Sequence, residues 1–176
     1  GWQIFPDWSP DGERLAFTAD DASAGANHDE WTRALWISTV GQVDAVKVLD
    51  CVQPCQDYSW PAWSPDGREI AYTTFDLIDG IADGSRLMAL DVATGTTREL
   101  SRTTGPEYFA GPRWSPDGRS LVVGIDRYSD TGTTSTQTGK AIAIVDLDAA
   151  SPAPRRLTEW DAWACYPDWH PSQDLI

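Results

Sequence analysis

Long apolar runs and lysine are both scarce in this 176-residue sequence. No apolar stretch approaches the roughly 20 residues that a helix needs to cross a bilayer, so we expect no membrane span. Lysine supplies only Lys47 and Lys140 of the 13 basic residues, against 27 acidic ones, and the formal net charge is −14. Because such a surface repels phosphate backbones, nucleic-acid binding is not expected, whereas cations, basic proteins and neutral glycans remain suitable partners.

Cysteine is also rare, with Cys51, Cys55 and Cys165 as its three occurrences. In an oxidising compartment Cys51 and Cys55 could bridge within their short loop, or Cys165 could pair with one of them across space. A zinc site is the weaker interpretation, because neither His28 nor His170 lies near the first two cysteines in sequence.

The common catalytic motifs are missing as well. The sequence contains neither the Gly-x-Ser-x-Gly turn of a serine hydrolase nor a glycine-rich phosphate loop. Carboxylates are abundant enough for a glycosidase-type pair, but no two of them stand out. We therefore predict that the chain is not an enzyme.

What the sequence does contain is an internal repeat. Residues 6–12, 61–67 and 112–118 read Pro-Asp-Trp-Ser-Pro-Asp-Gly, Pro-Ala-Trp-Ser-Pro-Asp-Gly and Pro-Arg-Trp-Ser-Pro-Asp-Gly, and a degraded fourth copy begins at Pro167. Their tryptophans recur at nearly constant spacing. Each of the first three heptads is followed by three more short apolar runs bounded by turn residues, which predicts four strands in each unit and no helix.

This heptad, with a later Leu-x-x-Leu-Asp and Arg-x-Leu-Thr, resembles the WD-like TolB-type β-propeller repeat over essentially the whole chain. The resemblance implies an all-β fold, a β-propeller of four-stranded antiparallel blades with three complete blades and the start of a fourth. We place one propeller segment at 1–176, with blades at about 4–50, 58–101 and 109–159 and a partial blade at 166–176. The repeat occurs in periplasmic and secreted binding proteins and in propeller domains of prolyl-oligopeptidase-like and tricorn-like serine peptidases.

The heptad residues have structural roles in such a blade. Proline at both ends of Pro-x-Trp-Ser-Pro suits an edge strand, which the innermost strand of a blade is. The Asp-Gly pair predicts a tight turn into the second strand. We expect the heptad tryptophans to fill the wedges between blades rather than to bind a ligand.

The loops of an antiparallel blade alternate between two faces, and the sequence makes these faces unequal. Turns from the first to the second strand and from the third to the fourth are short. Loops from the second to the third strand, at 19–33, 75–86 and 126–140, and those between blades are long, and they define the long-loop face. Because binding residues concentrate on loops held by a rigid scaffold, we predict a site at this face and the channel mouth. The candidate ligand-binding residues are Asp57, Tyr58, Trp60, Glu107, Tyr108, Trp160, Asp161, Trp163 and Tyr166.

Several of these candidates have a second interpretation. The recurring tyrosines could bind a ligand, or could plug the channel and pack on the neighbouring blade, whereas exposed positions are expected for the three tryptophans. The three acidic candidates could form a ring that holds a cation, or a solvated rim. Calcium is the one cofactor considered, because a separate turn-rich loop supplies oxygen ligands, although its spacing does not match an EF-hand. The candidate metal ligands are Asp76, Asp79 and Asp83.

These observations predict a non-catalytic binding module, periplasmic or secreted, with a protein or glycan ligand. One alternative is the gating propeller of a prolyl-oligopeptidase-like or tricorn-like serine peptidase whose catalytic domain is absent from this chain, and another is a lyase or glycosidase that uses channel carboxylates. Since propellers need roughly four to eight blades, three cannot close a ring. We expect either that the chain, which starts at Gly1 and has its only methionine at Met88, is part of a longer protein, or that copies form a homo-oligomer that completes the ring.

Overall fold

The computed structural model describes residues 3–20, 33–50, 58–78, 81–130, 135–170 and 176. In these ranges the regular structure is almost entirely β, with one short 3-10 helix at Trp160–Ala162. The strands are β1 (Gln3–Trp8), β2 (Arg14–Asp20), β3 (Arg33–Thr39), β4 (Ala45–Leu49), β5 (Tyr58–Trp63), β6 (Glu69–Ile78), β7 (Ile81–Asp91), β8 (Thr97–Arg102), β9 (Glu107–Trp114), β10 (Ser120–Asp130), β11 (Ser135–Asp146) and β12 (Arg155–Arg156).

The strands form three four-stranded antiparallel sheets in sequence order, β1-β2-β3-β4, β5-β6-β7-β8 and β9-β10-β11-β12. We call them blades 1, 2 and 3. Each begins on the inner strand that carries a heptad, so the predicted fold class is confirmed. The part of the chain that the structure describes holds no helix long and apolar enough to cross a membrane.

The long loops predicted in blades 2 and 3 are largely extended hairpins. Strands β6 and β7 stay paired out to Ile78 and Ile81, and β10 and β11 stay paired out to Asp130 and Ser135. The expectation of open loops at 75–86 and 126–140 was therefore wrong. For blade 2 the sequence held a signal of this, because the Asp-Gly dipeptide at 79–80 is typical of a two-residue hairpin connection.

The heptad turns use serine and aspartate as local braces. In the second heptad the Ser64 hydroxyl donates to Asp66 Oδ1 at 2.7 Å, and its oxygen accepts the backbone N–H of Glu69 at 2.9 Å. Gly67 closes the turn with a φ of 70°, which glycine adopts without strain. The same bonds recur in the first and third heptads. Part of the acidic excess is thus used to build turns.

Three of the four heptad tryptophans fill wedges as expected, whereas Trp8 of the first heptad is 57% exposed. Trp63, Trp114 and Trp169 are each less than a tenth exposed. The indole N–H of Trp114 donates to the carbonyl of Ala62 at 3.0 Å, and the indole N–H of Trp169 donates to the carbonyl of Arg113 at 3.0 Å. Each of these two tryptophans therefore finds its acceptor on the preceding inner strand.

The apolar core lies in the same wedges rather than within any one sheet. Between blades 1 and 2, Leu35 and Ile37 pack with Trp63, Ile70 and Leu90. A second cluster joins blades 2 and 3 through side chains from both sheets. Because neighbouring sheets pack on one another, β1 lies beside β5 and β5 beside β9, and this geometry positions the site.

Candidate functional site

The residue directly before each heptad has a left-handed backbone. Its φ is 56° at Phe5, 57° at Trp60, 51° at Gly111 and 54° at Tyr166. The ladders of β1, β5 and β9 each shift register at this position, which marks a repeated bulge on the inner strand. Left-handed backbone costs a non-glycine residue roughly 1–3 kcal/mol, so three aromatic residues here are unfavourable for the backbone.

The three aromatic side chains at these bulges come together, with Trp60 in contact with the other two. The Phe5 and Trp60 rings are stacked, with centroids 3.7 Å apart and planes inclined by 29°. The Tyr166 and Trp60 centroids are 5.6 Å apart with planes inclined by 51°. We call Phe5, Trp60 and Tyr166 the central aromatic cluster. Tyr166 is 67% exposed, and the other two are half-buried, so the cluster is not a closed core.

Gly111 is the third-blade counterpart of these aromatic residues. It is buried, and a Cβ atom at this position would lie 3.9 Å from the Tyr166 ring. A larger side chain would therefore extend toward Tyr166. The third blade thus contributes bare backbone where the other three inner segments contribute a ring.

Charged side chains occupy the variable second position of three heptads, two residues after the left-handed residue: Asp7, Arg113 and Asp168. Asp7 Oδ2 accepts the backbone N–H of Trp63 at 2.7 Å, and Asp7 Oδ1 lies 4.0 Å from Arg113 Nη1. Burial raises the pKa of Asp7, an effect that the Trp63 N–H and Arg113 oppose and the negative charge of Asp168 reinforces. Asp168 is exposed, and its Oδ1 accepts the backbone N–H of Trp169 at 2.8 Å.

The three candidate tyrosines occupy two kinds of environment. Tyr58 packs edge-on against Tyr72, with centroids 5.1 Å apart, and its hydroxyl donates to the carbonyl of Asp50 at 3.1 Å. Tyr108 packs edge-on against both Phe75 and Tyr128, at 5.6 Å each. Tyr166 alone of the three joins the central aromatic cluster. The reason is its place in the repeat, because Tyr166 directly precedes its heptad proline and the other two stand further back.

The three candidate tryptophans also lie in different environments. Trp60 belongs to the central aromatic cluster, and Trp163 is 52% exposed just after the 3-10 helix. Trp160 is half-buried, with the guanidinium of Arg127 4.2 Å and that of Arg156 4.9 Å from its ring centroid. The Trp160 ring thus already contacts two arginine side chains of the protein itself.

Two of the three acidic candidates, Glu107 and Asp161, lie in the described part of the chain. Asp161 is exposed in the 3-10 helix, while Glu107 is half-buried and its carbonyl accepts the Thr103 hydroxyl at 2.6 Å. Asp57 lies outside the described residues, so an acidic ring stays a prediction.

The candidate calcium loop is described only in part. Asp79 and the side chain of Asp76 lie outside what the structure describes, as do Cys51 and Cys55. Asp83 Oδ1 accepts the backbone N–H of Gly105 at 2.9 Å, a bond that ties the β6–β7 hairpin to the start of blade 3. Within the described ranges no three acidic, histidine or cysteine side chains are placed to hold a metal. A calcium site therefore stays a prediction.

Sequence reasoning missed Asp7, Arg113 and Asp168 as part of the central site. Their signal was the variable second heptad position, which reads Asp, Ala, Arg and Asp along the chain. Since neighbouring inner strands place equivalent heptad positions side by side, the differing charges at this position were the available clue.

Two curated proteins show similarity in sequence, whereas no protein-family model matches the chain. An uncharacterized peptidase, YuxL of Bacillus subtilis (strain 168), is 30% identical over 120 residues, which cover 68% of this chain and 17% of that protein. The Tol-Pal system protein TolB of Alcanivorax borkumensis is 31% identical over 86 residues, which cover 48% of this chain and 18% of that protein. The chain thus spans less than a fifth of either relative.

Solved structures share the architecture at low sequence identity. TolB from Acinetobacter baumannii matches with a TM-score of 0.50 and 14% identity, covering 91% of this chain and 45% of that chain. An acylaminoacyl peptidase from Pyrococcus horikoshii has a TM-score of 0.58 at 12% identity, covering 89% and 25%. An oligogalacturonate lyase from Vibrio parahaemolyticus has a TM-score of 0.59 at 16% identity, covering 90% and 37%. These likenesses show a fold that proteins of different activities share.

Proposed function

The chain belongs to the TolB-like β-propeller family, and on that premise we propose that it is a non-catalytic binding module that acts outside the cytoplasm. Its ligand is a protein or a glycan held at the channel mouth and the long-loop face. The observation that carries the proposal is the central aromatic cluster, in which partly exposed rings are kept on strained backbone at the centre of a rigid scaffold. Strained residues of this kind concentrate at functional sites, and exposed aromatic side chains are the usual anchors of binding surfaces.

The test compares ligand capture by the wild-type chain and by Tyr166→Gly. Glycine keeps the left-handed backbone, as Gly111 does in the third blade, and removes only the ring. Both proteins are applied to a glycan array and to a peptide library. We expect a ligand that the wild type retains and Tyr166→Gly loses, while Val43→Ala, which changes a fully exposed side chain on the opposite face, binds like the wild type.

Two results would count against this function. Equal ligand capture by the wild type and Tyr166→Gly would remove the central aromatic cluster from the binding site. Turnover of a captured glycan or peptide, followed by mass spectrometry of the products, would show that the module is catalytic. The extracytoplasmic location is tested separately, by fractionating cells that express the protein from its own gene.

A second candidate is the gating propeller of a serine peptidase, and the similarity to YuxL favours it, because that relative is named as a peptidase and matches more of this chain than TolB does. In that role the blades would control substrate access to a separate catalytic domain. Sequencing the gene on both sides of this segment separates the candidates. A hydrolase domain in the same reading frame supports gating and contradicts an independent binding module.

A further inference from the structure

The chain repeatedly covers its own tryptophan faces with arginine. The Arg14 guanidinium carbon lies 4.4 Å from the ring centroid of Trp63, in the wedge between blades 1 and 2. The guanidinium groups of Arg127 and Arg156 lie 4.2 Å and 4.9 Å from Trp160. A planar guanidinium stacks on an aromatic face and is more weakly hydrated than an ammonium group, so these contacts are favourable even at half-exposed sites.

The central aromatic cluster presents the same kind of surface toward solvent. Tyr166 is 67% exposed and stands beside Trp60, so an added planar cation can reach both rings. Gly111 leaves the space beside the Tyr166 ring without a side chain. An aromatic residue at this fourth position would extend into that space, and glycine keeps it open.

Carboxylates supply the charge that a cation needs at this place. Asp168 is exposed and stands at the second position of the fourth heptad, as Asp7 does in the first. Asp7 accepts the Trp63 N–H and lies 4.0 Å from Arg113, whereas Asp168, two residues after Tyr166, is exposed and accepts the backbone N–H of Trp169. The whole chain carries a net charge of −14, which draws basic partners toward it.

From these contacts we infer that the central aromatic cluster is the receptor for an arginine side chain presented by a protein partner. The guanidinium stacks on Tyr166 and Trp60 and pairs with the carboxylate of Asp168. This inference rests on the proposed binding function and deepens it, since it names the chemical group that the channel mouth selects. Arginine is favoured over lysine because only the guanidinium offers a flat face together with a fork of donors for a carboxylate.

The probe is a short capped peptide, Gly-Ser-Arg-Ser-Gly, compared with the same peptide carrying citrulline or lysine in place of arginine. Citrulline keeps the planar shape and removes the charge, and lysine keeps the charge and removes the plane. Binding is followed by NMR on the 15N-labelled indole N–H signals of the full chain. We expect the Trp60 signal to shift with the arginine peptide while the buried Trp114 signal stays in place, and we expect about tenfold weaker binding for each substituted peptide.

Two variants and their controls locate the effect. Tyr166→Gly removes the stacking face, and Asp168→Asn removes the charge while keeping the side-chain shape. Each variant should bind the arginine peptide about tenfold more weakly than the wild type does. Because both residues are exposed, the thermal unfolding midpoint should stay nearly unchanged. Asp44→Asn, an exposed charge removal on the opposite face, is the matched control and should bind like the wild type.

The outcomes separate this inference from the proposed function. Equal binding of the arginine and citrulline peptides, or no binding of either, overturns the arginine receptor. If a ligand found on the arrays still requires Tyr166 in that case, the binding module stands with a different ligand chemistry. If Tyr166→Gly retains every ligand that the wild type captures, both proposals fail.

Discussion

The carboxylate of Asp7 accepts the backbone N–H of Trp63 at 2.7 Å, across the wedge between blades 1 and 2. In the next two wedges the inner strands are joined differently, through the indole N–H groups of Trp114 and Trp169 and backbone carbonyls. Among the described residues the buried indole N–H of Trp63 has no acceptor. The bond between the first two inner strands therefore depends on a titratable side chain, whereas the two indole bonds do not.

Replacing Asp7 by asparagine tests this dependence through pH. The amide oxygen can still accept the Trp63 N–H, so the substitution removes only the charge. Because burial raises the pKa of Asp7 in the fold, the wild type loses stability relative to Asp7→Asn as the pH rises from the unfolded carboxyl pKa of about 3.9 through the raised folded value. Urea denaturation of both proteins at a series of pH values measures the difference. If the difference in unfolding free energy between the two proteins did not change with pH, this would falsify the raised pKa of Asp7 in the fold.

The turn aspartates respond with the opposite sign. The Ser64 hydroxyl, followed by the backbone N–H of Arg68, lowers the pKa of Asp66 below its usual value. The stabilisation is therefore complete above the unfolded carboxyl pKa and is lost as the pH falls through the folded value. We expect Asp66→Asn to be less stable than the wild type at neutral pH and equal to it in strong acid, measured by the same denaturation series. Asp44→Asn, in an exposed turn, is the control for charge removal alone.

Gly84 tests how the β6–β7 hairpin is docked. Its φ is +81°, and a Cβ atom would lie 2.4 Å from the carbonyl oxygen of Thr103, which is backbone and cannot rotate away. We expect Gly84→Ala to lower the free energy of unfolding by about 2–4 kcal/mol, through strain and this overlap. Gly95→Ala has a similar φ of +71° and no atom within 4 Å of its Cβ, so it should lose only about 1 kcal/mol. If both variants lost the same unfolding free energy, the overlap between a Cβ atom at position 84 and the Thr103 carbonyl would contribute nothing to the loss.

The heptad tryptophans Trp114 and Trp8 differ in what surrounds them. Trp114 is 9% exposed and its indole N–H bonds to the Ala62 carbonyl, whereas Trp8 is 57% exposed. Trp114→Phe should destabilise the chain by about 2–3 kcal/mol, because it leaves a small cavity and an unpaired buried carbonyl. Trp8→Phe should change the unfolding free energy by no more than about 0.5 kcal/mol, measured on the monomer at high dilution.

Trp8 also tests whether copies of the chain associate. It is the residue type that fills a wedge in blades 2 and 3, yet on blade 1 it is 57% exposed. If a second copy covers this surface, light scattering should give a mass above the 19.3 kDa of one chain, and Trp8→Glu should restore the monomer mass. A wild type that stays monomeric at high concentration contradicts association.

Much of the fold could be predicted because its signals are local and repeated. The Pro-x-Trp-Ser-Pro-Asp-Gly heptads set the inner strands and the first turns, and the apolar runs after them became β2, β6 and β10. The extended hairpins were missed although Asp79-Gly80 was visible, because neighbouring Asp83 and Gly84 are themselves turn-forming residues and suggested a loop.

The central aromatic cluster could be predicted only in part. Trp60 and Tyr166 were candidates from the sequence. However, aromatic residues do not favour a left-handed backbone, and a following proline favours an extended one. Gly111 at the equivalent position was the one local clue. Charge positions such as Asp7 and Arg113 depend on how closely the inner strands approach one another, and this distance is set by tertiary packing.

The offset bonds of the heptad tryptophans bear on how the molecule folds. Trp114 takes its acceptor from Ala62 on one sheet and Trp169 takes its acceptor from Arg113 on the next, so neither bond is complete within a single sheet. In a chain built this way stability is shared between neighbouring repeats, and folding spreads outward from the first pair that docks. Blades 2 and 3 excised at their strand boundaries would lose these bonds, and we expect each of them to be more stable when the inner segment that follows it is retained.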